Sequence, residues 1–263
     1  MSMAGFPILL VGCGRMGGAL ARQWLPRHPL LVHDPYADLP DGARRIDQID
    51  AEALPEDLVV VLAVKPQFFG QVAPALSVLA ARGALFVSIM AGVTLDGLGD
   101  ALGEGTRIVR AMPNTPAAIG CGITAAIAGD PVTDEDRDRI DALLRPTGEL
   151  VWLSREADLD AVTAVSGSGP AYFFRMTEAL ALAGEAAGLA PDLAVRLARA
   201  TFSGAAALAD RRAESLATLR AEVTSPGGTT AAGLACFDMD DRLDRLMTDV
   251  VTAAAIRARE LSG

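Results

Sequence analysis

Two stretches of this sequence have residue types and spacing suited to chemistry, and both are built on glycine. The first, Gly12-Cys13-Gly14-Arg15-Met16-Gly17, fits G-x-G-x-x-G. It follows the apolar run Ile8–Val11 and precedes a helical pattern expected from Gly18. In that setting the glycines serve a tight turn, close backbone approach to a pyrophosphate and close helix packing. The N–H groups of the helix start then face the phosphates. Asp34 ends the next apolar run, about 20 residues further on, where a ribose-binding acid is expected. Together these predict a dinucleotide site; the alternative is a glycine-rich turn in another α/β fold.

The second stretch, AEVTSPGGTTAAGL (Ala221 to Leu234), interrupts a helical region. Pro226, Gly227 and Gly228 must stop one helix, and Thr229 and Thr230 stand where the next begins. Their N–H groups are orphan donors and the glycines keep the approach open. That is a cradle for a carboxylate, favoured by roughly 0.3–2 kcal/mol from the helix dipole alone. A plain capped corner is the alternative. Smaller candidates lie in AVKPQ, MAGV and MPNTP, at expected strand ends. Lys65, the sole lysine, faces either a ligand or solvent. Asn114, between Pro113 and Pro116, either hydrogen-bonds a ligand or caps its own turn.

The elements that must position these residues fall into two halves. Apolar runs alternate with helical stretches up to about Arg155, the pattern of a parallel sheet covered on both faces. DLVVVLAVKP and GALFVSIMAG read as buried strands. Arg107–Gly120 and Gly122–Gly129 read as later, shorter ones, and ELVWLS closes the sheet. Thr133 is expected to cap a helix. Ligands of such sheets lie beyond the carboxyl ends of the strands. From Leu159 the pattern is helical, with a Ser-Gly-Ser-Gly-Pro defect and a helix opening at Pro191. The expected domains are 1–155, α/β, and 156–263, all-α. The second is thin and Ala-rich, so association with another copy would bury more of it.

Composition narrows the function classes. The chain has 263 residues, 51% of them hydrophobic, and a formal charge of −10. That charge argues against nucleic acid and anionic membranes as partners. No apolar run approaches the ~20 residues of a membrane span. Three scattered cysteines and two histidines form no metal set. No basic region opens the chain, so no signal peptide is expected, and a cytoplasmic location with reduced thiols follows. Beyond residue 156 there is no lysine and no histidine, so an unactivated ketone would find few acids there. A cyclic imine needs less help, because it arrives already protonated.

GCGRMG, AVKPQ, MAGV, RAMPNTP, SGSGPAYFF and EVTSPGGTTAAGL, in this order, resemble pyrroline-5-carboxylate reductases along essentially the whole chain. The resemblance implies a Rossmann domain plus a helical dimerisation domain. It also implies an active site shared between subunits of a homodimer or higher oligomer. The implied reaction is reduction of 1-pyrroline-5-carboxylate to L-proline by NAD(P)H. The substrate carboxylate would meet the backbone of Gly228, Thr229 and Thr230, with the Thr230 hydroxyl on the ring nitrogen as the catalytic contact. Ser225 and the segment around Ser168 would line the pocket, and Glu156 falls near a family acid at the domain junction. The cofactor would lie on Gly12, Cys13, Gly14, Arg15, Met16 and Gly17, on Ala63, Val64, Lys65 and Pro66, and on Met90, Ala91 and Gly92, with Asn114 close by. Asp34 departs from the small polar or basic residues common there. A carboxylate suits a ribose 2′-OH and repels a 2′-phosphate, so NADH is expected over NADPH unless Arg44 and Arg45 fold back to offset the charge. A β-hydroxyacid dehydrogenase would need a lysine on the long interdomain helix, which is missing. A dinucleotide-binding regulator has no use for Ser-Pro-Gly-Gly-Thr-Thr.

Overall fold

The computed structural model describes residues 5–262; the first four residues of the expected leaderless start lie outside the described residues. The chain forms two compact units. One runs to Ser168 and takes in the chain from Ala254 onward; the other is Gly169–Ala253. The sequence-based boundary, residue 155/156, falls inside the first.

In the first unit β1 (Ile8–Val11) leads through α1 (Arg15–Trp24) to β2 (Leu30–His33) and β3 (Arg44–Arg45). β4 (Val59–Leu62), α2 (Pro66–Ala81), β5 (Leu85–Ser88) and α3 (Leu95–Leu102) follow. β6 (Arg107–Met112), β7 (Gly122–Ala128), α4 (Asp134–Leu144), β8 (Gly148–Trp152) and the short α5 (Asp158–Val162) complete it. The sheet order is β3-β2-β1-β4-β5-β6-β7-β8. The chain winds outward from β1 and returns to its other side at β4, so the crevice beyond these two strands is a topological switch point.

Side-chain alternation explains the continuous apolar runs. Ile8, Leu10, Val59, Val61, Leu85 and Val87 pack on one face under α1 and α4. Leu9, Val11, Val60, Leu62 and Phe86 pack on the other under α2 and α3. A strand buried on both faces has no polar positions to spare. The Trp24 indole N–H donates to Leu143 O at 2.9 Å, tying α1 to α4.

Three expectations are corrected. The sheet is not wholly parallel, because β7 runs antiparallel to β6. The link between them holds only the 3₁₀ turn Thr115–Ile119, too short for a crossover helix, so the chain must double back. These later strands are also the longer ones, six and seven residues against four for β1. And α1 opens at Arg15, earlier than Gly18.

In the second unit α6 (Gly169–Ala186) and α7 (Pro191–Arg211) lead to α8 (Leu216–Glu222) and α9 (Thr229–Asp238). The unit ends within α10 (Arg242–Ser262). Among its described residues only Gly169, Ala181, Ala194 and Ala198 are buried. Phe173, Phe174, Leu180, Leu193 and Val195 are exposed.

Thr133 caps α4 as expected, inside a capping box. Its hydroxyl accepts from Asp136 N, and the Asp136 carboxylate accepts from Thr133 N at 3.0 Å. Asp136 is buried and also pairs with Arg107 at 2.7 Å. Thr133→Ala should lower stability in urea by about 1 kcal/mol, and Thr133→Ser by much less.

Candidate functional site

At the end of β1 each glycine has a different steric reason. Gly12 adopts φ +94°, and a Cβ there would lie 2.8 Å from the Ala63 carbonyl, so the loop rests directly on the end of β4. A Cβ on Gly17 would lie 2.4 Å from Gly12 O, so α1 packs against the loop. Gly14 is the opposite case: a Cβ there would meet no atom within 4 Å. Gly14 is also the N-cap of α1 and offers it no side-chain cap, and the first turn carries no acid. The result is a cradle of free N–H groups over open space, which fits a pyrophosphate.

Asp34 holds this cradle in place. One carboxylate oxygen accepts from Cys13 N at 2.8 Å, and the other from Tyr36 N at 2.9 Å and Ala37 N at 3.0 Å. Burial alone would raise its pKa. The three backbone N–H groups and nearby Arg45 outweigh that and hold the carboxyl below its ordinary value. The Arg45 guanidinium donates to the carbonyls of Asp34 and Ala37. Cys13 offers main chain only: its thiol is buried, and burial, with Asp34 beside it, pushes its pKa up.

The neighbouring strand ends carry the other sequence candidates. Lys65 is exposed at the N-cap of α2, with Pro66 at its first position, and makes no ion pair among the described residues. Ala63 and Val64 are half-buried beside it, and Arg15 and Met16 open α1. The Met90 side chain is buried in the core, which leaves its backbone to face a ligand; Ala91 is exposed and Gly92 has φ +80°. Asn114 does not cap its own turn. It is buried, accepts from Ile123 N at 2.9 Å and donates to Ser166 O at 3.2 Å. Glu156 accepts from Leu95 N at 2.7 Å, capping α3, and pairs with buried Arg110. Ser168 is half-buried at the end of a π turn, Thr163–Gly167.

Arg110 and the carbonyl of Ser166 were missed by sequence reasoning. The first had a signal: an arginine inside the apolar run RIVRAM must be buried with a partner. Asn114 to Ser166 spans too much sequence to be visible locally.

In the second unit Gly227 has φ +71°, and Gly228 N donates to Ser225 O at 3.0 Å. A Cβ on Gly228 would lie 2.4 Å from Ser225 Oγ. Gly228 is the N-cap of α9, without a side-chain cap and with no acid in the first turn. Ser225, Thr229 and Thr230 are exposed. The candidates therefore divide: Gly12–Gly17, Asp34, Ala63–Pro66, Met90–Gly92, Asn114, Glu156 and Ser168 belong to the first unit, and Ser225, Gly228, Thr229 and Thr230 to the second. No helix among the described residues is long and apolar enough to cross a membrane.

Comparison with known proteins matches residues 156–261 to the family described as pyrroline-5-carboxylate reductase dimerisation. Residues 7–92 match the family described as NADP oxidoreductase, coenzyme F420-dependent. A pyrroline-5-carboxylate reductase of Pseudomonas aeruginosa is 39% identical over 97% of this chain and 96% of the relative. A solved structure of such a reductase from Coxiella burnetii is similar with TM-score 0.89 at 34% identity, over 97% of this chain and 98% of the other. The Plasmodium falciparum enzyme, solved with NADP bound, gives 0.84 at 26% identity, over 98% and 99%.

Native Asp34 titrates below the ordinary carboxylate value of about 4. Its charge therefore adds stability above that pH, and the contribution is lost as pH falls through the lowered native value. The gap in urea midpoint between wild type and Asp34→Asn should be widest near neutrality and close below about pH 4.

Proposed function

The chain belongs to the pyrroline-5-carboxylate reductase family, and from that membership we propose that it reduces 1-pyrroline-5-carboxylate to L-proline with NAD(P)H as hydride donor. The observation that carries this reading is the start of α9, where a glycine N-cap leaves the first turn's N–H groups unclaimed. The backbone of Gly228, Thr229 and Thr230 holds the substrate carboxylate, charge against dipole. The Thr230 hydroxyl hydrogen-bonds the ring nitrogen, and Ser225 lines the pocket. Glu156 serves as an anchor within the first unit, since Leu95 N and Arg110 already occupy its carboxylate.

When bound, the reduced nicotinamide supplies the hydride. The Gly14 cradle and the main chain from Ala63 to Pro66 and Met90 to Gly92 orient it, and Lys65, exposed beside them, is free to meet its phosphates. The imine enters protonated at nitrogen, so the ring carbon takes the hydride and the C=N π electrons return to nitrogen. No side chain has to deliver a proton in that step, which accords with the absence of lysine and histidine beyond residue 156. What the protein contributes is alignment.

NADH is the favoured donor in this proposal. Asp34 keeps its negative charge at the end of β2, where a 2′-phosphate would approach. Two unit charges about 4 Å apart repel by roughly 4 kcal/mol at an effective dielectric of ~20, less with solvent exposure. Arg45 lies beside Asp34 and offsets part of that charge, but its N–H donors are engaged by the carbonyls of Asp34 and Ala37, which leaves fewer of them for a phosphate.

The chain acts as a homodimer or larger homo-oligomer, through the helical region that matches the dimerisation family. Support comes from the exposed aromatic and aliphatic side chains of α6 and α7 and the scarcity of buried ones there. The functional boundary is drawn at residue 156, where that match begins. A cytoplasmic location agrees with three unpaired cysteines.

Thr230→Ala should lower kcat/KM for the imine by roughly 10–100-fold, the loss of one hydrogen bond of about 1.5–3 kcal/mol; an unchanged value would show that its hydroxyl does not touch the ring. Wild type should show the higher kcat/KM with NADH, and Asp34→Ser should narrow the NADH/NADPH ratio by about tenfold or more. Sedimentation equilibrium that finds only monomer would remove the oligomer.

A further inference from the structure

We infer that Asn114 is a positioning residue, which acts through the Ser166 carbonyl to hold the π turn that presents Gly167 and Ser168. The inference rests on the reductase activity proposed above and adds a residue to its machinery.

The reason begins with Pro170. In a continuous α-helix the carbonyl of Ser166 would accept from the N–H of residue 170, and proline has none. The helix answers with a π turn at Thr163–Gly167, in which Ser168 N donates to Thr163 O at 2.8 Å. Two hydroxyls support it: Thr163 Oγ1 donates to Leu159 O at 2.7 Å and Ser166 Oγ to Val162 O at 3.0 Å. The Ser166 carbonyl receives Asn114 Nδ2 at 3.2 Å. Single π turns of this kind recur at functional sites.

The chemistry of the partners fixes the orientation of the amide. Ile123 N–H can only donate and Ser166 O can only accept, so Oδ1 must face the first and Nδ2 the second. Asn114 is buried, so water competes poorly for either bond. Its backbone belongs to the loop that leaves β6, at the carboxyl edge of the sheet. One side chain thus connects the MPNTP loop, the first residues of β7 and the SGSGP segment. In this role Asn114 touches neither substrate nor cofactor.

Three readouts test the inference: kcat/KM for pyrroline-5-carboxylate, the NADH dissociation constant by fluorescence titration, and amide exchange by mass spectrometry. Asn114→Ala should lower kcat/KM by about tenfold or more. NADH affinity should stay within about twofold. Exchange should quicken in residues 163–168 and not in 12–17. Asn114→Asp keeps an acceptor for Ile123 N and loses the donor, so it should match the alanine variant. Pro170→Ala restores an N–H that can serve the Ser166 carbonyl from within the helix. In that background the Asn114→Ala loss should shrink by about threefold or more. The same loss in both backgrounds, NADH affinity falling in parallel with kcat/KM, or full activity in Asn114→Asp would each overturn the inference and leave the reductase activity standing. Wild type without turnover would remove both.

Discussion

The molecule depends on main-chain N–H groups that its own side chains leave alone. Most folded proteins satisfy the start of a helix locally, and several helices here do so. Thr94, Thr133 and Ser215 each turn a hydroxyl back onto the first turn of α3, α4 and α8. α2 and α7 open with Pro66 and Pro191, which remove one donor outright. α1 and α9 do neither. They start from Gly14 and Gly228, which have no side chain to turn back, and their first turns carry no acid. In the proposed reaction an anion from outside completes each of them. One cradle suits phosphate and the other a carboxylate, and the proposed reaction needs both.

Leaving donors bare places demands on the surroundings, and these explain much of the remaining structure. The cradle at α1 is held from below by the Ala63 peptide against Gly12, and from the side by Asp34 on Cys13 N. The corner before α9 is held by Ser225, whose hydroxyl occupies the space a Gly228 side chain would need. Gly12 and Gly17 are forced by backbone atoms pressed against them, and Gly14 faces open space, whereas the atom beside Gly228 is a Ser225 hydroxyl that can turn aside.

That division also says what could be read in the sequence. The G-x-G-x-x-G loop, the break before Thr229 and the Thr133 cap were legible because their causes lie within a few residues. The apolar runs of β1, β4 and β5 were legible because burial on both faces leaves no polar positions. The antiparallel turn into β7 was less so: an alternation of strands and helices suggests crossovers, and only the shortness of the link around Thr115–Ile119 rules one out. Asp34 shows in the sequence only as an acid at a strand end; that both of its oxygens accept backbone N–H groups is visible only in the fold. Glu156 and Asn114 stand out in the sequence as candidates, but their partners Arg110 and Ser166 lie 46 and 52 residues away. Local patterns do not carry such distances.

Under the proposed preference for NADH, the clamp between Asp34 and Cys13 bears on how the electron carrier could change. Replacing the acid with a small polar residue would clear the way for a phosphorylated ribose and, in the same step, unfasten the loop that grips the dinucleotide. A gain in selectivity would come with a loss of affinity for either carrier. Evolution or an engineer would have to find a second acceptor for the Cys13 amide to separate the two traits.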